Sequence, residues 1–238
     1  NRMTTRTDNP GATVTNYAYT TPVAHPHAVA STTVNSVATG TYGYDAVGAM
    51  TSRNGDTLGY DAQQRLTAYA TDESYIYSTS NQRLIRQAGT TRTLYLPGME
   101  AAATGTTRTI TIYVAIGNTA VATKTAVYTN GTNGTPTVAW SCASMQNSTT
   151  CQAPESTTPG ANPPVVARKR YKPYGGERNT VTFTKTYHGF LGQPEDTTGL
   201  TYLNNRYYDP TTGAFVSVDP LVGTTGTPYL YGNGNPAT

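Results

Sequence analysis

Gly199-Leu200-Thr201-Tyr202-Leu203-Asn204-Asn205-Arg206-Tyr207-Tyr208-Asp209-Pro210-Thr211-Thr212-Gly213-Ala214-Phe215-Val216-Ser217-Val218-Asp219-Pro220 packs aromatic strands, two Asp-Pro turns and one arginine into a single short run. Proline holds the residue before it in extended backbone, and an aspartate there can accept backbone N–H groups, so each Asp-Pro reads as a strand end that opens a turn. The Pro210-Thr211-Thr212-Gly213 turn can fold the strand of Asp209 back beside that of Asp219. Such a stretch is built for pleated structure.

The rest of the composition agrees. Of 238 residues 36% are hydrophobic, enough for a substantial core, yet Phe occurs three times and Tyr nineteen. With Thr, Ala and Gly dominating the remainder, this mixture favours half-buried β-surface over helix, and an all-β class follows. Charged residues make up 12% and the net charge is +3, spread thinly except for Arg168-Lys169-Arg170-Tyr171-Lys172. That cluster reads as a solvated strand edge, and a basic stripe interleaved with exposed aromatics, the footprint of a nucleic-acid binder, is missing. No run of about 18 apolar residues and no signal-type leader is visible, so no membrane span is expected. The start at Asn1-Arg2-Met3, in mid-pattern, reads as an excised piece of a longer polypeptide.

Upstream, Tyr42-Gly43-Tyr44-Asp45 recurs as Leu58-Gly59-Tyr60-Asp61 and, with decay, as Tyr75-Ile76-Tyr77-Ser78. Two strands of ordinary length plus their turns consume about 16 residues, so each repeat can be one β-hairpin. Tyr-x-Tyr places both rings on one face, and Asp45 and Asp61 start the turns that follow. One hairpin cannot bury its face alone, which requires the repeats to stack side by side into a long sheet. Tyr17-Ala18-Tyr19 reads as an earlier, degenerate unit. Residues 1–97 are therefore assigned to repeat hairpins and residues 98–128, with Thr109–Val114 and Ala120–Lys124 alternating about Gly117-Asn118, to further hairpins. Residues 129–164, rich in Asn, Gly, Thr, Ser and Pro including Pro159, Pro163 and Pro164, read as a loop-rich insert with one strand around Val138-Ala139-Trp140, the lone Trp acting as a packing anchor. Within it Cys142 and Cys151 are close enough for a local disulfide, free thiols being the alternative. Strand patterning resumes at Val165 and continues through residues 165–238.

In this last segment Tyr171-Lys172-Pro173-Tyr174-Gly175, Gly189-Phe190-Leu191-Gly192-Gln193, Gly199-Leu200, Arg206 to Pro210, Gly213-Ala214-Phe215, Asp219-Pro220 and Tyr229-Leu230-Tyr231-Gly232-Asn233-Gly234-Asn235-Pro236 follow one another. In that order they resemble the repeat-associated core of bacterial Rhs/YD-repeat proteins, and the Tyr-Asp repeats resemble the YD units of the same family. The chain departs from the pattern at Ala214, where an arginine is common, and in carrying the Cys-bearing region where many members have an Asp-His-x-Gly-Ser-like segment. It also stops at Thr238, before the family's second Asp-Pro-x-Gly motif. The resemblance implies a stacked YD-repeat sheet, part of a hollow β-shell, ending in an inward-folded core plug. It implies a C-terminal toxin passenger enclosed by the shell, the remaining shell repeats as partners, a delivery apparatus, and a secreted or cell-surface bacterial location. It also implies self-cleavage by aspartates: two carboxylates held close share a proton, one activating water while the other donates to the scissile carbonyl. Asp219 is the first candidate, Asp209 the second, and Arg206 the group that would orient or acidify a neighbouring carboxylate; the partner acid would lie in the second motif.

No cofactor or metal is expected. Pro26 keeps His25 and His27 from facing one ion, so an exposed loop is expected there, and His188 reads as a packed strand residue. A structural or adhesive surface protein, in which Tyr/Thr-rich hairpins form a fibre or a carbohydrate-binding face with no passenger, is the alternative reading.

Overall fold

Seven short strands open the chain, each ended by residues that favour a reversal. In the computed structural model, which describes residues 3–8, 13–19, 25–71, 73–155, 166–184 and 186–236, they are β1 Thr5–Asp8, β2 Thr13–Tyr19, β3 Val29–Val34, β4 Val37–Tyr44, β5 Met50–Arg53, β6 Asp56–Tyr60 and β7 Leu66–Tyr69. Pro159, Pro163, Pro164, Val165 and Thr238 lie outside the described residues. Each strand pairs antiparallel with the next, as expected of stacked hairpins. This meander belongs to one compact unit, Asn1–Thr71 with Arg206–Thr238; Asp72–Asn205 forms a second.

The hairpins of the first unit alternate two turn types. Asn35-Ser36 and Asn54-Gly55 turn with positive φ at both residues, the tight turn whose twist suits paired strands. The tyrosine-ended strands instead close a five-residue loop in which Asp45 N–H donates to the Ala49 carbonyl and Gly48 N–H to the Asp45 carbonyl. Asp45 Oδ1 accepts Val47 N–H at 3.0 Å and Ala49 N–H at 2.8 Å, and Asp61 does the same for Gln63 and Arg65. Asp45 and Asp61 are thus turn builders, as their position suggested. The same loop recurs among the described residues of the second unit at 78–82, 144–148, 172–176, 189–193 and 196–200, and its fourth residue always has positive φ, as at Gly192 and Gly199.

In the second unit β8 Glu73–Tyr77, β9 Arg83–Ala88, β10 Thr91–Leu96, β11 Met99–Thr104, β12 Thr107–Ile116 and β13 Thr119–Thr129 continue the antiparallel pattern. They are followed by β14 Thr132–Asn133, β15 Thr137–Ala143, β16 Thr149–Pro154 and β17 Ala167–Arg168. The strand expected near Val138 is β15, and it pairs with β16 in a stretch read from composition as loop. Cys142 and Cys151 oppose each other across that pair with Cα atoms 4.9 Å apart, and their sulfurs are bonded. Trp140 is no packing anchor: it is 55% exposed, because strand alternation turns its neighbour Ala139 into the core and Trp140 out.

Residues 166–205 pack within the second unit, with β18 at Thr201–Leu203 bridged to Glu195. Lys169 corrects the reading of the basic cluster as a solvated edge. It is buried, with Nζ 2.6 Å from Glu177 and 3.3 Å from Glu195 and over the Phe183 ring, while Arg168 and Arg170 are exposed. The last stretch returns to the first unit as β19 Arg206–Asp209 and β20 Ala214–Phe215, paired antiparallel, and the single-turn helix α1 Val222–Thr225. His25, expected in an exposed loop, is half-buried, and its Nε2 lies 2.9 Å from the Asp45 carbonyl. No helix among the described residues is long and apolar enough to cross a membrane.

Candidate functional site

The Tyr-x-Tyr motif decides where the C-terminal segment goes. Its first ring position is buried in each repeat, as Tyr42, Leu58 and Tyr75. Its second reaches a landmark of the C-terminal segment: Tyr44 meets Tyr229 edge-on at 5.9 Å, Tyr60 Oη donates to the Val216 carbonyl at 3.3 Å, and in the second unit Tyr77 meets Tyr202 at 6.4 Å. Backbone joins these contacts in the first unit, where Met50 N–H donates to the Val216 carbonyl and Tyr229 Oη to Gly48 O at 2.7 Å. Burial pushes the phenols of Tyr17 and Tyr229 up to about 12, and those of Tyr44, Tyr75 and Tyr187 further in the same direction.

Asp209 is buried in the first unit, with no exposed surface on its side chain. Arg53 of β5 grips it with two bonds, Nε to Oδ2 at 2.8 Å and Nη2 to Oδ1 at 3.3 Å, while Thr211 N–H donates to Oδ1 at 2.8 Å. Arg53 Nη1 also donates to Tyr69 Oη, whose hydroxyl donates to Asp56. Burial alone would make Arg53 easier to deprotonate, but the Asp209 carboxylate outweighs it and holds the guanidinium charged. Both oxygens of Asp209 are therefore occupied.

Asp219 differs. Its Oδ1 accepts Leu221 N–H at 2.8 Å, its Oδ2 faces Arg206 Nη2 at 3.3 Å, and the side chain keeps 17% exposure. Arg206 stacks on Phe215 with its guanidinium carbon 3.7 Å from the ring centroid, and burial lowers its pKa despite Asp219. Backbone closes the loop behind this pair: Asp219 N–H donates to Pro228 O, Val222 N–H to Asp219 O, and α1 ends at Gly226 with φ of 64°. The arrangement brings Arg206 and Asp219 together and binds Asp209 to a different arginine.

The second unit holds a parallel set of ties. Arg83, between the Tyr95 and Tyr202 rings, donates to Asp196 at 2.5 Å. Arg86 grips Glu73 with two bonds, and Glu73 also accepts from Tyr75 and Thr197. Desolvation would raise the Glu73 carboxyl, yet Arg86 and the hydroxyls prevail and hold it low. A cavity of about 420 Å³ opens beside Arg83, Tyr95, Glu100, Tyr113, His188 and Tyr202. On one side of it His188 Nε2 lies 2.8 Å from Glu100, Nδ1 lies 2.9 Å from the Gly192 carbonyl, and the ring stacks on Tyr113. His188, read as a packed strand residue, lies instead at an isolated bridge to Pro194 and keeps 23% side-chain exposure on the cavity wall. No group of three or more potential metal ligands occurs among the described residues.

Sequence reasoning missed Arg53, Glu73, Arg83, Arg86 and Asp196. A signal existed for three of them. Counting from the turn residue of each repeat, the fifth position is Met50, Leu66 and Arg83, all buried, so an arginine stands where apolar residues belong. The eighth is Arg53, Tyr69 and Arg86, each reaching a carboxylate.

No family model matches the chain. Among curated proteins it is 37% identical over 82 residues to the tRNA nuclease WapA of Bacillus subtilis, across 30% of this chain and 3% of that protein. It is 34% identical over 61 residues to the toxin subunit YenC1 of Yersinia entomophaga, across 24% of this chain and 6% of that protein. It therefore spans only a few per cent of the length of the curated relatives it matches. Among solved structures, TcdB2-TccC3 superposes with a TM-score of 0.70 at 18% identity over 95% of this chain and 13% of that one. All-β, with a C-terminal segment bonded to the tyrosines of its own hairpins, the chain has the fold of that structure, and its motifs resemble those of bacterial Rhs/YD-repeat proteins.

Proposed function

We propose that these residues form the C-terminal part of an encapsulating Rhs/YD-repeat shell, that the shell encloses a toxin passenger, and that Asp219 takes part in cutting the passenger free. The observation that carries the reading is the double tie of the C-terminal segment to the repeats, Asp209 to Arg53 in one unit and Asp196 to Arg83 in the other. Buried ion pairs fix geometry more than they add stability, and a wall meant to stay closed over a cargo needs that fixity. In this reading the wall partners are further repeats of the same polypeptide, and the assembly acts outside the producing cell. Asp219 serves as the accessible carboxylate, with Arg206 3.3 Å away orienting it, and a second acid supplied by other residues of the full protein takes the opposite role. Asp209 is a brace.

The test is intact mass of the full-length gene product, as wild type, Asp219→Asn and Asp209→Asn. The proposal expects a cut on the C-terminal side of this segment in wild type that Asp219→Asn abolishes while leaving far-UV circular dichroism unchanged. An uncut wild type, or an Asp219→Asn variant cut as fast as wild type, rejects the proteolytic role and favours the structural or adhesive reading.

A further inference from the structure

In the second unit the sheet is inverted. One face carries Thr93, Glu100, Thr109, Thr111 and Tyr113, opposite Phe183, Thr184, Thr186 and Tyr187. Strand registers put the aliphatic residues on the other face. One cross-strand row there runs Ile76, Ile85, Leu94, Ala101, Ile110, Ala126. Beside it runs Leu96, Met99, Ile112, Lys124, Val138, and then Val114, Ala122, Trp140. Ile76, Leu96, Ile112, Val114, Ile116 and Trp140 are all exposed, Ile116 to 74%. In the first unit the corresponding central positions are Ala18, Gly43 and Gly59, paired with Ser31, Ser52 and Ala68, so the greasy face is not a property of the repeat. Contiguous exposed apolar surface of this kind marks a contact with a partner or a membrane.

Charge selects between occupants. The outer row along one side is Gln87, Arg92, Ala103, Arg108, Tyr128, and Lys124 stands within the apolar field; Arg92, Arg108 and Lys124 are exposed. Among the described residues the one carboxylate on this face is Glu155, at its margin beyond Val138. A second copy of the chain would bring these cations against each other. The long basic stems, the aromatic rings of Trp140 and Tyr128 and the aliphatic field together match the chemistry of an anionic bilayer surface, where Lys and Arg reach the headgroups and apolar side chains enter the acyl boundary.

We infer that the outer face of β8–β15 is a docking surface for anionic lipid membranes. The experiment is flotation of the 238-residue chain with vesicles of phosphatidylcholine alone or of phosphatidylcholine mixed with anionic phosphatidylglycerol, alongside size-exclusion chromatography. Wild type binds the anionic vesicles and not the neutral ones. Neutralising Arg92, Arg108 and Lys124 to Gln weakens binding about a hundredfold, at roughly 1 kcal/mol per cation. Ile112→Thr/Val114→Thr/Ile116→Thr, which keeps β-forming side chains on exposed positions, weakens it at unchanged charge. Equal binding to both vesicles, insensitivity to either variant, or a monomer that binds neither overturns the inference. A dimer dissolved by the threonine variant, with no vesicle binding, overturns it in favour of a second copy.

Discussion

Arg53→Met removes the guanidinium that occupies both oxygens of Asp209 and leaves a carboxylate with no exposed surface holding only the Thr211 N–H bond. Uncompensated charge at such a site costs about 3–5 kcal/mol. Tyr69 loses its Arg53 donor as well but keeps its own bond to Asp56, so its share is small. With a urea dependence of roughly 2–3 kcal/mol/M, the midpoint followed by far-UV circular dichroism falls by about 1–2 M. The companion variant is Arg53→Met/Asp209→Leu. Replacing both charges by apolar side chains of similar size is about neutral, so the double variant recovers most of the loss and shows a coupling of several kcal/mol. A single variant costing less than about 1 kcal/mol, or a double variant as damaged as the sum of the singles, would refute the view that Arg53 and Asp209 form one buried unit.

The other expectations are narrower. Burial keeps the phenols of Tyr17 and Tyr229 protonated up to about 12, so the unfolded chain releases its protons first; stability is full below pH 10 and is lost as pH rises toward 12. Each such tyrosine contributes about 1 kcal/mol of that loss at pH 11, read as a falling urea midpoint, and a flat profile between pH 9 and 11.5 contradicts it. Gly48 has φ of +90° and a side chain there would meet the Tyr229 hydroxyl at 2.5 Å, so Gly48→Ala costs about 2–4 kcal/mol and lowers the melting temperature; a neutral result means that Tyr229 does not close on this turn. Cys142→Ser/Cys151→Ser reopens a short loop and costs about 2–3 kcal/mol, measured against the oxidised chain, whereas equal stability of the two shows the bond idle.

How much of this was readable in sequence follows from the range of each interaction. The repeat aspartates were legible because their hydrogen bonds fall within four residues, as in Asp45 to Ala49. The tyrosine alternation was legible for the same reason, since a period of two is local. Arg53 and Asp209 were not legible as a pair: 156 residues separate them and nothing near either names the other. Arg83 and Asp196 lie 113 apart, although the arginine's place among Met50 and Leu66 marked it as odd. The β15–β16 hairpin was hidden by its Ser/Thr/Asn content, which resembles a loop, and Trp140 misled because aromatic residues are commonly buried while here strand alternation turns this one out. Lys169 was read with its basic neighbours, whose charge is solvated, whereas Glu177 and Glu195 close over it.

In the proposed function the braced C-terminal segment closes a wall around a cargo, and limited proteolysis of the full-length gene product, natively folded, with fragments identified by mass, tests that enclosure. The account predicts that sequence on the C-terminal side of these residues resists protease in the intact protein and becomes sensitive when Arg53→Met and Arg83→Met release both ties. Cleavage of that sequence at the same rate in native and untied protein would contradict enclosure.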